Sequence, residues 1–217
     1  MATKALQTDQ IRRWSGDFGR EYTDRNDHTP QQLDQFYLKT YAVTRRELNQ
    51  RFLKGVPRDA RILEVGCNMG TQLVLLKEMG FSRLSGIEIQ GYALERAKER
   101  LGEAQLVKAS ALSIPFPDRH FDLVFTSGVL IHVAPAELPI ALAEIHRCTK
   151  KWIWGMEYYT PQMTGINYRG HHDLLWKADY ARLYRETFDD LELVNEARMR
   201  YLENQNIDVM FLLCRKA

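Results

Sequence analysis

From residue 61 onward, apolar positions alternate between short continuous runs and stripes of helical spacing. Ile62, Leu63 and Val65 make a short run ended by Gly66, which predicts a buried strand. Thr71 to Met79 follows as an apolar segment of helical length that stops at Gly80. Leu84 to Glu88 reads as a second strand ending in an acid, and Leu94, Ala97 and Leu101 mark one helix face. Gln105 to Ala109 is a third strand, after which Pro115 and Pro117 bar a helix. Phe121 to Ser127 is a fourth, ended by Gly128; Leu138, Ala141, Leu142 and Ile145 then stripe a helix with Pro135 at its start. Lys151 to Tyr158 is a fifth strand, broken at Tyr159-Thr160-Pro161. A helix over Asp179 to Thr187 precedes two long strands, Leu191 to Tyr201 and Ile207 to Cys214, joined by a polar turn as an antiparallel pair.

Upstream, Leu33, Tyr37, Tyr41, Leu48 and Phe52 recur at spacings of four and seven. No Gly or Pro interrupts Gln31 to Phe52, so one helix is expected, capped by Thr29 with Pro30 in its first turn. Strands alternating with helices predict an α/β chain with a mostly parallel sheet. The expected organisation is a single domain: a helical cap over residues 1–55, a core over 56–217, and an irregular loop near 158–178.

Composition narrows the classes. At 217 residues with 45% hydrophobic and 27% charged content, the chain is an ordinary globular one. A net charge of +2 argues against a broad nucleic-acid surface. Three scattered cysteines form neither a disulfide framework nor a metal site, so no metal is expected. Met1 to Gln10 is polar, without a signal peptide's apolar run, and no stretch of ~18 apolar residues occurs. A cytoplasmic protein with no membrane partner is the expectation.

The chemistry concentrates at Glu64-Val65-Gly66-Cys67-Asn68-Met69-Gly70. Glycine lets backbone approach a ligand closely. The spacing is neither G-x-G-x-x-G nor a phosphate loop. Glu64 would repel a pyrophosphate and suits a cation. S-adenosyl-L-methionine, with a positive sulfonium and ammonium, fits that demand. Glu88, followed by Ile89, stands where nucleotide-binding α/β folds place a ribose-binding carboxylate. Ser110, Ala111 and Leu112 either line an adenine or pack as an ordinary loop; Ser127 ends a strand at the ligand edge. Near the N-terminus, Tyr22, Arg25 and Asn26 bring together a hydroxyl, a fixed cation and an amide. Arg25 either grips a carboxylate or forms a surface ion pair. His132, just past a strand end, either lines the site or bonds locally. Tyr168, Arg169, His171 and His172 belong to the irregular loop, where specificity usually resides.

Taken in order, Glu64-x-Gly66-x-x-x-Gly70, Glu88, Ser110-Ala111 and the Phe121-Asp122 strand resemble the class I S-adenosyl-L-methionine-dependent methyltransferases. That resemblance implies a Rossmann-like, seven-stranded, mostly parallel sheet with an antiparallel last strand and helices on both faces. It also implies cofactor contacts from Glu64, Gly66, Cys67, Asn68, Gly70, Glu88, Ile89, Ser110, Ala111, Leu112 and Ser127, with Tyr22 and Arg25 from the cap. Many members have Asp where Ser110 stands. More narrowly, Phe18 to Asn26, Glu157-Tyr158-Tyr159 and Tyr168 to His171 look like the methyltransferases associated with pseudaminic acid biosynthesis in bacterial surface-sugar clusters. That family implies a small, sugar-like or acidic acceptor methylated on O or N. His132, His171, His172 and Glu157 are the candidate bases; Asn26, Tyr158, Tyr159, Tyr168, Arg169 and again His172 are the candidate substrate contacts. The expected assembly is a monomer or homodimer with a small-molecule substrate. Two other classes stay open: a nucleic-acid or protein methyltransferase, and a non-catalytic module that binds the same cofactor.

Overall fold

The computed structural model describes residues 8–216. Most of the polar Met1 to Gln10 stretch, read above as no signal peptide, therefore lies outside the described residues.

β1 (Arg61–Val65) shows how the sheet is built. Ile62 faces one apolar cluster and Leu63 and Val65 the other, all fully buried. A strand apolar on both sides must be covered on both sides. β2 (Arg83–Glu88), β3 (Gln105–Lys108), β4 (Phe121–Ser127) and β5 (Thr149–Tyr158) run parallel beside it. A short hairpin, β6 (Thr164–Gly165) with β7 (Trp176–Lys177), stands apart from the main sheet. β8 (Leu191–Arg200) and β9 (Ile207–Arg215) complete the sheet in the order β3-β2-β1-β4-β5-β9-β8. β9 is antiparallel to both β5 and β8, so the last strand runs against the others, as expected.

The helices are α1 (Asp9–Ser15), α2 (Asp17–Arg25), α3 (Pro30–Tyr41), α4 (Arg45–Phe52), α5 (Thr71–Glu78), α6 (Gly91–Leu101), α7 (Leu138–Cys148) and α8 (Tyr180–Thr187). Residues of α3, α4 and α5 pack in one apolar cluster, and those of α7 and α8 in the cluster on the other face.

Two expectations are corrected. The single helix over 31–52 is two, because Ala42 turns left-handed at φ 58° and Thr44 starts α4 afresh. Thr44 Oγ1 accepts from Glu47 N at 3.1 Å while Glu47 Oε2 accepts from Thr44 N at 2.8 Å. This is a capping box, and Thr44-x-x-Glu47 is its signature in sequence. Likewise α7 starts at Leu138 with Pro139 in its first turn, not at Pro135. The preceding Leu130–His132 is a 3₁₀ turn.

α1 and α2 pack against each other at a point where no side chain fits. A Cβ on Gly19 would lie 1.8 Å from the Trp14 carbonyl oxygen. Because the clash is with backbone, Gly19→Ala must push α1 off α2. We expect a loss of about 1–3 kcal/mol in urea unfolding, the usual cost of overpacking.

Candidate active site

The turn after β1 is held in a left-handed path at three positions: Gly66 (φ 72°), Asn68 (φ 46°) and Gly70 (φ 72°). Glycine adopts this region freely and asparagine tolerates it. The Ile87 carbonyl accepts from the amides of both Gly66 and Cys67, at 2.9 and 3.0 Å, which pins the turn to β2. Gly66 has no room for a side chain, since a Cβ would sit 2.6 Å from Val129 Cγ2. Gly70 is a packing glycine: its Cβ would meet Leu101 Cδ1 at 2.5 Å, and it does not reach the cavity.

Glu88 closes this cradle. One carboxylate oxygen accepts from Asn68 N and the other from Gln90 N, both at 2.8 Å. Burial raises its pKa, and the amides of Gln90, Asn68 and Ile89 oppose that rise. Each oxygen keeps a lone pair, which suits it to vicinal hydroxyls.

The cradle opens into a cavity of about 260 Å³ at the carboxyl ends of β1, β2 and β4. Two buried acceptors in its wall, Glu64 Oε2 and Gln72 Oε1, have no donor among the described residues. Unpaired buried acceptors are costly, so the pair calls for a donor-rich ligand. An ammonium, with three N–H groups and a positive charge, meets both. Burial pushes the Glu64 carboxyl well above its usual range, Arg45 opposes that, and Glu88 adds to it. The ammonium of S-adenosyl-L-methionine therefore fits this pair of acceptors. Ala111 and Leu112 form an apolar shelf nearby, while Ser110 Oγ is taken by Leu112 N at 3.1 Å. Ser127, Cys67 and Ile89 complete this wall.

The cap supplies the roof. Tyr92 Oη donates to Asp24 at 2.7 Å, Arg96 pairs with Asp27 at 2.6 Å, and Arg100 pairs with Asp27 as well. These pairs fasten the segment that brings Tyr22, Asn26 and Trp14 to the cavity. Gln90 Nε2 reaches back to the Gly16 carbonyl at 2.8 Å. His132 faces the same space with its ring 4.3 Å from that of Trp14. Its Nδ1 lies 2.7 Å from the Leu174 carbonyl, so that nitrogen carries the hydrogen and Nε2 keeps a lone pair. Burial pushes its pKa down to about 4.

Other expected positions stand elsewhere. Arg25 turns to Glu21, one helical turn back at 3.6 Å, and is not in the wall. Glu157 is fully buried behind the 3₁₀ turn, accepting from Val129 N at 3.2 Å and Ile131 N at 3.4 Å. Burial raises its pKa to about 7; it braces the turn carrying His132 and does not face the cavity. His171 Nδ1 accepts from Arg13 at 2.8 Å, and its ring meets Phe18 edge-on. Tyr168 packs between Phe18 and His132, and exposed Arg169 lies over the Tyr168 ring. His172 is exposed beside Asn167; Tyr158 faces Lys177, and Tyr159 is buried beneath Arg198. The 158–178 loop thus fastens the cap more than it lines the cavity. Sequence reading missed Gln72 and Gln90 as wall residues, and Trp14 as the partner of His132, because a Gln or Trp in or at the start of a helix carries no signal of direction.

Comparison with known proteins agrees with this geometry. Residues 63–152 match the family described as a methyltransferase domain. An uncharacterised methyltransferase of Schizosaccharomyces pombe is 33% identical over 132 residues, 54% of this chain and 46% of that protein. One from Synechocystis is 33% identical over 90 residues, 42% of each. The chain spans less than half the length of these curated relatives. Among solved structures, the Burkholderia thailandensis 1,6-didemethyltoxoflavin-N1-methyltransferase, bound to 1,6-didemethyltoxoflavin and S-adenosylhomocysteine, covers 99% of this chain and 94% of its own at TM-score 0.72 and 14% identity. The [4+2]-cyclase SpnF covers 87% of this chain and 97% of its own at TM-score 0.66 and 13% identity. The fold is thus Rossmann-like, like that of these solved structures, and residues 63–152 within it are similar to a methyltransferase domain.

Two outcomes check the cradle by calorimetry. Gly66→Val, with a side chain at φ 72° and against Val129, should abolish S-adenosyl-L-methionine binding. Glu88→Ala should weaken it by about 1–3 kcal/mol, the cost of hydroxyls left unpaired.

Proposed function

We propose that the whole chain is one domain that transfers the methyl of S-adenosyl-L-methionine to an O or N atom of a small polar, sugar-like acceptor. The observation that carries this reading is a base of fixed tautomer, His132, in the same cavity as the orphaned acceptors of Glu64 and Gln72. The cofactor supplies an already activated methyl group. The chain's own residues have three tasks. Glu64 and Gln72 hold the ammonium end, and Glu88 takes the ribose hydroxyls. Trp14, Tyr22 and Asn26 close the roof and exclude water, leaving acceptor and methyl aligned, which accelerates transfer strongly. His132 Nε2 accepts the proton that an acceptor hydroxyl must lose.

The wall also bears on the acceptor. Glu64, Glu88 and Glu137 line the cavity, and among the described residues no Lys or Arg does. This favours a neutral hydroxylated acceptor over an acidic one, and disfavours a polyphosphate backbone in the site. No helix of the described residues is long and apolar enough to cross a membrane, in keeping with a cytoplasmic role. The cyclase of like fold keeps a different chemistry in view, because fold alone does not fix function.

The test follows a methyl label from S-adenosyl-L-methionine into neutral sugars, acidic sugars, RNA and protein. Label in the neutral small-molecule fraction is expected; label confined to RNA or protein, or binding without transfer to anything, would overturn the reading. For an oxygen acceptor, His132→Ala should lower kcat about 10²–10⁴-fold while S-adenosyl-L-methionine affinity stays. Since the base acts when neutral and its pKa lies at about 4, the His132-dependent loss should come only as pH falls toward 4. Unchanged kcat in the variant would remove His132 from the reaction.

A further inference from the structure

Among the described residues, three buried side-chain atoms without a partner belong to residues that line the cavity. Glu64 Oε2 and Gln72 Oε1 are acceptors, and one ammonium serves both. The third, Trp14 Nε1, is a donor, so an ammonium cannot serve it. A buried indole N–H ordinarily finds an acceptor, and leaving it without one is costly. The indole is not free to swing toward another. The Trp14 carbonyl accepts from Gln90 Nε2 at 3.4 Å and lies so close to Gly19 that a Cβ there would stand 1.8 Å away. Phe18 and Tyr22 press edge-on against the indole, with ring centres at 5.1 and 5.2 Å. His132 lies closer, at 4.3 Å, whereas Tyr22 is 6.3 Å from His132. Other amide donors of the cavity wall are engaged: Asn26 Nδ2 donates to the Tyr22 carbonyl at 2.8 Å and Gln10 Nε2 to the Asp173 carbonyl at 3.2 Å. His132 offers the complement of the indole N–H. Its Nδ1 is held by the Leu174 carbonyl, which leaves a lone pair on Nε2. An unsatisfied donor and a fixed acceptor thus stand on adjacent rings of one wall.

We propose that Trp14 is an acceptor-binding residue: its indole N–H donates to the oxygen that is methylated while His132 Nε2 takes that oxygen's proton, which commits the site to hydroxyl acceptors over amines. This rests on the methyl-transfer reading above and narrows it. The reason is a count of lone pairs. A hydroxyl oxygen has one hydrogen and two lone pairs. The hydrogen goes to His132, one lone pair accepts from Trp14, and the other attacks the methyl. An amine has a single lone pair, which the attack uses, so the indole N–H would stay buried and unpaired beside it. In the transfer, the O–H bond breaks and its proton passes to Nε2, giving the imidazolium. The oxygen lone pair forms the new O–C bond, and the S–C bond breaks with its electrons to sulfur, turning the sulfonium into a thioether. Negative charge gathers on oxygen as the proton leaves. With no Lys or Arg lining the cavity among the described residues, the fixed N–H dipole of Trp14 is what meets that charge.

The experiment supplies ¹³C-methyl S-adenosyl-L-methionine with methyl glycosides of neutral hexoses and with their amino-deoxy counterparts, and NMR separates O-methyl from N-methyl products. Wild type should favour the hydroxyl by about 10²-fold or more. Trp14→Phe, which keeps a ring but loses the N–H, should lower kcat on the hydroxyl about 10²-fold. Its rate on the amine and its affinity for S-adenosyl-L-methionine, read by calorimetry, should stay within about twofold of wild type, because neither depends on that N–H. If Trp14→Phe does not fold, benzothienylalanine at position 14, which replaces the N–H by sulfur, makes the same comparison. Comparable N-methylation by wild type, an unchanged kcat in the variant, or an equal loss on hydroxyl and amine would overturn the proposal. Weaker S-adenosyl-L-methionine binding by the variant would also overturn it and make Trp14 a cofactor contact. Wild type that binds S-adenosyl-L-methionine but methylates neither set would instead overturn the sugar-like acceptor on which the proposal rests.

Discussion

The left-handed turn from Gly66 to Gly70 is the constraint on which the rest depends. Its path is possible only for residues that tolerate positive φ. Its amides are then taken by the Ile87 carbonyl and the Glu88 carboxylate, both on the neighbouring strand. The turn and the end of β2 thus fix each other. That mutual fixing sets the floor of the cavity and aims α5, whose first turn contributes Gln72.

Charge is distributed around that floor in an unusual balance. The cavity wall carries carboxylates and a neutral histidine, while the arginines stand one layer back. Arg96 and Arg100 tie down the cap through Asp27. Arg45 is buried among Asn49, Tyr37 and Trp154, and Arg13 fastens the 158–178 loop through His171. An arginine held by neighbours in this way shapes a site without presenting charge to the ligand. The same principle explains Glu157, which spends its oxygens on backbone amides and so orients the turn that carries His132.

Much of the fold was legible in the chain. Both-sided apolar runs predict a covered parallel sheet, and the final strand pair was placed within a residue or two at its ends. The break at Ala42 was legible too, through Thr44 and Glu47, but the apolar stripe across it suggested continuity. The cradle residues Glu64, Gly66, Asn68, Glu88 and Ala111 were readable because backbone geometry and strand ends restrict them locally. Arg25, His171 and Glu157 were misjudged for a common reason. Their chemistry suits a ligand, and only packing shows that each is already committed to another protein group.

Sequence alone therefore determined the order of strands and helices, the glycine turn and the acid at the end of β2, because these follow from periodicity and from which residues accept which backbone angles. Only the tertiary structure decided which polar groups remain free. Among the described residues Glu64 and Gln72 are left without donors, His132 is locked in one tautomer, and Trp14 is folded over it. A free acceptor is defined by what fails to reach it, and that depends on elements far apart in the chain.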